Sequence, residues 1–163
     1  MNRHFWNALL VIGTAAAAVA APPAGGGTSI HQEVDFYSSP IGSANAAILY
    51  EALLDEKEVG AFSGAPARID PAAGGAFKLY GGRVTGRNVE LVPNRRIVQA
   101  WRVETWPAGV YSIVRIELTE TDAGVRLVLD QTGFPPEARD ALSANWPKKY
   151  WDPLRKHLYL TLP

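Results

Sequence analysis

No cysteine occurs anywhere in the 163 residues. That excludes disulfides, thiolate metal sites and cysteine nucleophiles together. Histidine is scarce as well. His4, His31 and His157 are too few and too scattered to surround a metal ion, and read as solvated or edge-of-core imidazoles. An excess of either charge is also missing, because sixteen Lys and Arg balance sixteen Asp and Glu. A nucleic-acid binder carries a basic surplus laid out as a stripe, so no nucleic-acid partner is expected. What is present is an ordinary globular composition for one domain, 47% hydrophobic and 20% charged.

Residues 1–20 do not read as part of the fold. Arg3 and the amino terminus give a short positive region, and an uninterrupted stretch with little charge runs from Phe5 to Ala20. It closes in Ala18-Val19-Ala20, the small-x-small pattern of a signal-peptidase site. Cleavage after Ala20 is preferred, since cleavage after Ala21 would put Pro22 first. The apolar run is shorter than the ~20 residues of a comfortable membrane span. The expectation is an exported, periplasmic or secreted chain without a stable membrane anchor; an uncleaved N-terminal anchor is the alternative. Residues 21–28, with Gly25-Gly26-Gly27, form a flexible mature N-terminus, and residues 29–163 form the domain.

Ile30, Gln32, Val34 and Phe36 alternate with charged and polar neighbours as a first strand. Ser39-Pro40 supplies a cap and a first helical residue for a helix reaching about Leu54. Asp55 to Phe62 reads as a second short helix, and Ala67 to Asp70 as a brief strand. A meander follows: Ala76 to Tyr80, Arg83 to Val92 (broken near Gly86), Arg95 to Thr105, Val110 to Thr119 and Val125 to Thr132. Short turns join these strands, so they need no crossover and form one twisted antiparallel sheet.

The tail carries the largest apolar stripe. Leu142, Trp146, Tyr150, Leu154 and Leu158 recur every four residues on one helix face. Pro147 and Pro153 interrupt it, at ~3 kcal/mol each in a helix interior. Pro147 is therefore expected to start the main helix, with Glu137 to Ser143 a separate preceding turn or short helix and a kink at Pro153.

Several motifs, in this order, resemble one family: Ser39-Pro40 before a helix, Ala72-Ala73-Gly74-Gly75-Ala76-Phe77, Gly86-Arg87 with Glu90-Leu91-Val92-Pro93, Ile97 to Arg102, Gln131 to Pro135, and Asn145-Trp146 leading to Tyr150. Together they are similar to the activator of HSP-90 ATPase homologue-like domain of the START-like (SRPBCC, helix-grip) superfamily. The resemblance covers roughly Ile30 to Leu158. It implies an α+β helix-grip fold: a seven-stranded antiparallel sheet wrapped around a long C-terminal helix, with two short helices after the first strand and a cavity between sheet and helix. Superfamily members bind lipids, polyketides or other apolar small molecules, and some catalyse cyclisation or hydrolysis. The eukaryotic activators carry a separate N-terminal chaperone-binding domain, for which this sequence has no room. Their client is a chaperone of the cytosol and organelles, which an exported chain does not meet. The resemblance thus carries the fold more safely than HSP-90 co-chaperone activity.

Strand alternation places Ile97, Gln99, Trp101 and Val103 on one face, with Ser112, Val114, Ile116 and Leu118, and Val125, Leu127, Leu129 and Gln131, doing the same on later strands. Gln99, Ser112 and Gln131 are the polar members. They read either as polar anchors of a greasy pocket or as positions where the sheet frays into water. Trp101, Trp146 and Tyr150 face the same space, core packing alone being the competing explanation.

No catalytic set is visible. Ser112 and Ser143 lack a histidine partner, and Asp130 and Glu104 alternate onto the opposite face. Gly74-Gly75 and Gly81-Gly82 open no helix and precede no Lys-Ser or Lys-Thr, unlike a phosphate loop. Arg95-Arg96 reads as a solvated strand entrance. The sequence thus points to a non-enzymatic domain binding a small apolar molecule, with no cofactor or metal. A protein-interaction module is the first alternative and a cyclase-like enzyme the second.

Overall fold

Alternating side chains become seven strands: β1 (Ser29–Tyr37), β2 (Arg68–Ile69), β3 (Ala76–Leu79), β4 (Val84–Val92), β5 (Arg96–Val103), β6 (Ser112–Thr121) and β7 (Gly124–Thr132). The computed structural model describes residues 28–38 and 44–161, with side chains through Tyr159. The export segment 1–20, residues 21–27 and the Ser39-Pro40 helix start lie outside the described residues. All seven strands form one antiparallel sheet, ordered β1-β7-β6-β5-β4-β3-β2. Strands β2 to β7 are a meander, and β1 joins its far end by pairing with β7 from Ser29↔Thr132 to Tyr37↔Gly124.

Among the described residues, two helices lie between β1 and β2. The first, α1 (Ala46–Leu54), starts later than Ser39-Pro40 suggests. Asn45 is extended (φ −133°, ψ 162°) and its side chain accepts the Ile48 N–H, so no helix runs through it and asparagine is the cap. Asp55 then accepts from the N–H groups of Lys57 and Glu58 at 2.7 and 2.9 Å, starting α2 (Glu56–Ser63). Glu56 and Glu58 in its first turn suit the positive end of the helix. Gly64, at φ 68°, ends it in the left-handed conformation glycine tolerates.

The expected break in β4 is displaced. Gly86 lies inside a continuous stretch, paired with Phe77 on one side and Trp101 on the other. A Cβ at Gly86 would come within 2.3 Å of the Phe77 ring and 2.0 Å of the Ala100 carbonyl, so glycine there permits close packing. The irregularity falls between Asn88 and Glu90, where the register shifts and Val89 is the extra residue of a bulge.

The tail also differs from expectation. A 3₁₀ turn (Pro136–Ala138), α3 (Arg139–Asn145), a π-helical stretch (Trp146–Trp151) and α4 (Asp152–Thr161) follow one another directly. Asn145, Trp146 and Asp152 all keep right-handed helical dihedrals. Pro147 therefore starts no separate helix. Pro147 lies in the first turn of the π stretch and Pro153 just past its end, a common lodging for helix irregularity. Each proline leaves the carbonyl four residues back without its usual donor, and the sheet side supplies one. Gln32 Nε2 donates to the Ser143 carbonyl at 2.9 Å, and the Tyr80 hydroxyl to the Lys149 carbonyl at 3.0 Å.

The core lies between the concave sheet face and these helices. Ile97, Val114, Ile116, Leu127 and Leu129 of the sheet are buried, as are Leu49, Val59 and Leu154 of the helices. Trp146, Tyr150, Leu154 and Leu158 turn inward as the four-residue spacing predicts, and the wider π turn brings in Trp151 beside them. A smaller cluster of Ile30, Trp106 and Phe134, with Leu142 packed against it, closes one end.

Candidate functional site

An apolar cleft of about 530 Å³ opens between β4–β5 and the first half of the C-terminal helix. Val84, Trp101 and Val103 wall it from the sheet; Leu142, Trp146 and Tyr150 wall it from the helix. Trp106 sits at one end, on the turn after β5. Its volume lies within the range of ~300–1,000 Å³ usual for small-molecule sites.

The floor is aromatic. Trp101 and Trp146 lie 4.9 Å apart between ring centroids, Trp146 stacks on Trp151 at 5.1 Å, and Tyr150 meets Trp146 edge-on at 5.2 Å. Such offset and edge contacts are the favoured arrangements of aromatic quadrupoles.

The three polar residues stand behind this floor. Gln99, Ser112 and Gln131 are 6%, 0% and 0% exposed, so the sheet does not fray into water there. Gln99 Oε1 accepts the Trp101 indole N–H at 2.8 Å, and Gln99 Nε2 donates to Asn88 Oδ1 at 2.8 Å. Asn88 in turn donates to the Asp70 carbonyl at 2.8 Å. Gln131 Oε1 accepts the Trp146 indole N–H at 2.8 Å, and its amide donates to Ser112 Oγ at 2.9 Å. Among the described residues no buried side-chain nitrogen or oxygen lacks a partner. The glutamines therefore fix two touching indoles and consume their only polar groups.

Of the six residues singled out from sequence, Trp101, Trp146 and Tyr150 line the cleft, while Gln99, Ser112 and Gln131 form the layer beneath. Sequence reasoning placed Leu142 on the apolar helix stripe but not at a site, and it did not single out Tyr80 or Trp106. Trp106 opens the turn Trp106-Pro107-Ala108-Gly109 after β5, and a tryptophan in a turn is itself a signal. Tyr80 has a left-handed backbone (φ 53°), unusual for a bulky residue, and its hydroxyl holds the Lys149 carbonyl across the cleft mouth. Burial pushes the Tyr80 and Tyr150 phenols well above the ordinary tyrosine range, so both stay neutral.

The charged groups of the cleft, Arg83, Glu137 and Lys149, are exposed at its rim. His31 binds Asp130 at 2.7 Å on the outer sheet face and His157 meets Glu58 at 2.7 Å, both away from Ser112. Among the described residues no three His, Asp or Glu side chains gather as for a metal ion.

Comparison with known proteins places this arrangement. The family model described as "Activator of Hsp90 ATPase homolog 1-like protein" matches residues 43–159. A mouse protein named activator of 90 kDa heat shock protein ATPase homolog 2 is 31% identical over 113 residues, 69% of this chain and 34% of that protein. The human homolog 1 is 27% identical over 108 residues, 66% of this chain and 32% of that protein. The chain thus spans about a third of the length of these relatives. Among solved structures, an HSP90 activator from Plasmodium falciparum superposes with a TM-score of 0.72 at 21% identity, covering 84% of this chain and 99% of that one. A protein from Mesorhizobium loti gives 0.67 at 23%, covering 82% and 98%. The strand order, the gripped C-terminal helix and the match over residues 43–159 agree: the chain belongs to the activator of Hsp90 ATPase homolog 1-like family, with the helix-grip fold.

Proposed function

We propose that the cleft binds a small apolar molecule, without chemistry. The observation that carries this reading is the fixed indole pair: with both N–H groups committed to Gln99 and Gln131, Trp101 and Trp146 offer a ligand ring faces and no donors. A polar ligand would lose its hydration without compensation, whereas an apolar one gains by leaving water. Among the described residues the charged groups of the cleft, Arg83, Glu137 and Lys149, stand exposed at its rim and the floor is apolar, which supports binding without turnover. The test is native mass spectrometry of protein purified from its own host, together with titration of an apolar fluorescent probe. A co-purifying mass removable by organic solvent is expected, and so is loss of probe binding in Ala141→Trp, since Ala141 of α3 lines the cleft from the helix side. A ligand-free protein whose probe binding ignores Ala141→Trp overturns the reading.

A second reading rests on the relatives' names. A domain similar to part of the 90 kDa heat shock protein ATPase activators is a candidate to contact a chaperone of that kind. Stimulation of a purified chaperone's ATPase by this chain would support it; no stimulation and no co-sedimentation would remove it. The sequence of residues 1–20 supports export, with a mature start at Ala21. N-terminal sequencing of the protein from its host tests that, an intact Met1 being the contrary result.

A further inference from the structure

The convex face of the sheet is divided by charge. On the β1, β6 and β7 side, outward residues neutralise one another: Arg126 reaches Asp35 at 2.9 Å, His31 reaches Asp130 at 2.7 Å, and Arg115 pairs with Glu117. Across β2 to β5, cations gather instead. The register sets Arg68 opposite Lys78, Lys78 opposite Thr85 and Thr85 opposite Arg102; in the adjacent row Arg87 stands between Ala76 and Ala100.

Arg68 is met by Glu56 at 3.1 Å. Arg87 gives one N–H to the Gly74 carbonyl and Arg102 one to the Trp106 carbonyl, at 2.9 and 2.8 Å. Among the described residues, no carboxylate lies within ion-pair distance of Lys78, Arg87 or Arg102. The bordering acids are Glu56, Asp70, Glu90 and Glu104, of which Glu90 is taken by Arg96 at 2.6 Å and Glu104 sits 3.9 Å from Arg83. Like charges opposed on neighbouring strands repel, and the chain as a whole has no net charge. The local surplus is therefore a feature of this face, not of the composition.

Shape narrows the occupant. Small residues between the cations leave a depression of about 600 Å³, walled by Arg68, Lys78, Arg87 and Tyr111. Tyr111 is 50% exposed, and Ile113, the partner of Ala100 across β5–β6, is 43% exposed. A flat lipid surface cannot enter such a hollow, whereas one protruding side chain can. We propose that this face docks an acidic peptide segment of a protein partner, its carboxylates on Lys78 and Arg87 and an apolar side chain against Tyr111 and Ala100. Complementary charge of this kind steers encounter and fixes register.

The test uses the full mature chain and a short fluorescein-labelled peptide alternating Asp or Glu with Leu and Phe. Saturable binding by anisotropy is expected, weakening roughly tenfold or more as salt screens the contacts. Lys78→Glu with Arg87→Glu should remove it, Lys78→Gln with Arg87→Gln should weaken it, and the cleft variant Ala141→Trp should leave it unchanged. If the charge reversal fails to fold, the glutamine pair decides. Equal binding of a peptide with Lys in place of Asp and Glu, or undiminished binding by the folded variants, overturns the proposal. So does co-flotation with phosphatidylcholine–phosphatidylglycerol vesicles without peptide binding, which would assign the face to a membrane.

Discussion

Gln32 does for Ser143 what Pro147 cannot: its Nε2 donates to the Ser143 carbonyl at 2.9 Å, while its Oε1 accepts the Trp151 indole N–H at 3.2 Å. One side chain on β1 thus repairs the helix ladder and fixes the aromatic stack. Gln32→Ala should cost ~1–3 kcal/mol, the usual penalty for unmade bonds at buried groups, read as a shift in urea midpoint. Pro147→Ala restores a backbone donor, so the double variant should lose less than the sum of the two singles. Strict additivity would show that Gln32 and Pro147 are not linked through Ser143.

Gln131 ties the cleft wall to the sheet. Gln131→Leu leaves the Trp146 N–H and the Ser112 hydroxyl without their partners. A loss of ~1–3 kcal/mol is expected, with a changed tryptophan emission as Trp146 loses its fixed neighbour. An unaltered spectrum and an unaltered melting curve would show that the indole is held by packing alone.

Leu154 is 0% exposed, beneath the sheet. Leu154→Ala should cost ~2–5 kcal/mol, depending on how far the site collapses. A melting temperature within experimental scatter of the parent would contradict the packing described.

The apolar periods were legible because they are short and regular. Alternation put Ile97, Val114 and Leu127 on the buried face, and four-residue spacing put Trp146, Tyr150, Leu154 and Leu158 under the sheet. The resemblance supplied the wrap itself. Helix boundaries were less legible, because they depend on groups that periodicity does not count. Asn45 caps α1 although Ser39-Pro40 offers a stronger local signal, and Pro147 is accommodated by a glutamine more than a hundred positions earlier in the chain. Similarly, alternation showed that Gln99 and Gln131 face inward but not what they hold. Their tryptophan partners lie two positions away for Gln99 and on a different element for Gln131.

At the surface, the neighbouring Asp130 carboxylate, accepting a hydrogen bond, holds the His31 imidazole above its ordinary 6.5. A histidine raised on folding stabilises fully below its unfolded value, and that contribution fades as pH climbs through the raised one. Both side chains are largely exposed, so the effect on stability is small and best followed at the ring itself. An NMR titration should find a lower His31 midpoint in Asp130→Asn. Coincident titration curves for the two proteins would break the assignment. At acidic pH the sign reverses for Asp35, held low by its hydrogen bond with Arg126: its contribution is present above the free carboxylate's range and disappears as pH falls through the lowered value.

Because β1 pairs with β7, from Ser29 beside Thr132 to Tyr37 beside Gly124, the first of the described strands has no neighbour in the sheet until the seventh has been made. A chain stopped short of β7 holds β1 idle, its ladder groups given to water. Closing the sheet is therefore a late, long-range event in this protein, of the kind that slows folding. The C-terminal helix draws on both ends of that closure, taking a hydrogen bond from Gln32 of β1 and walling the cleft opposite β4–β5.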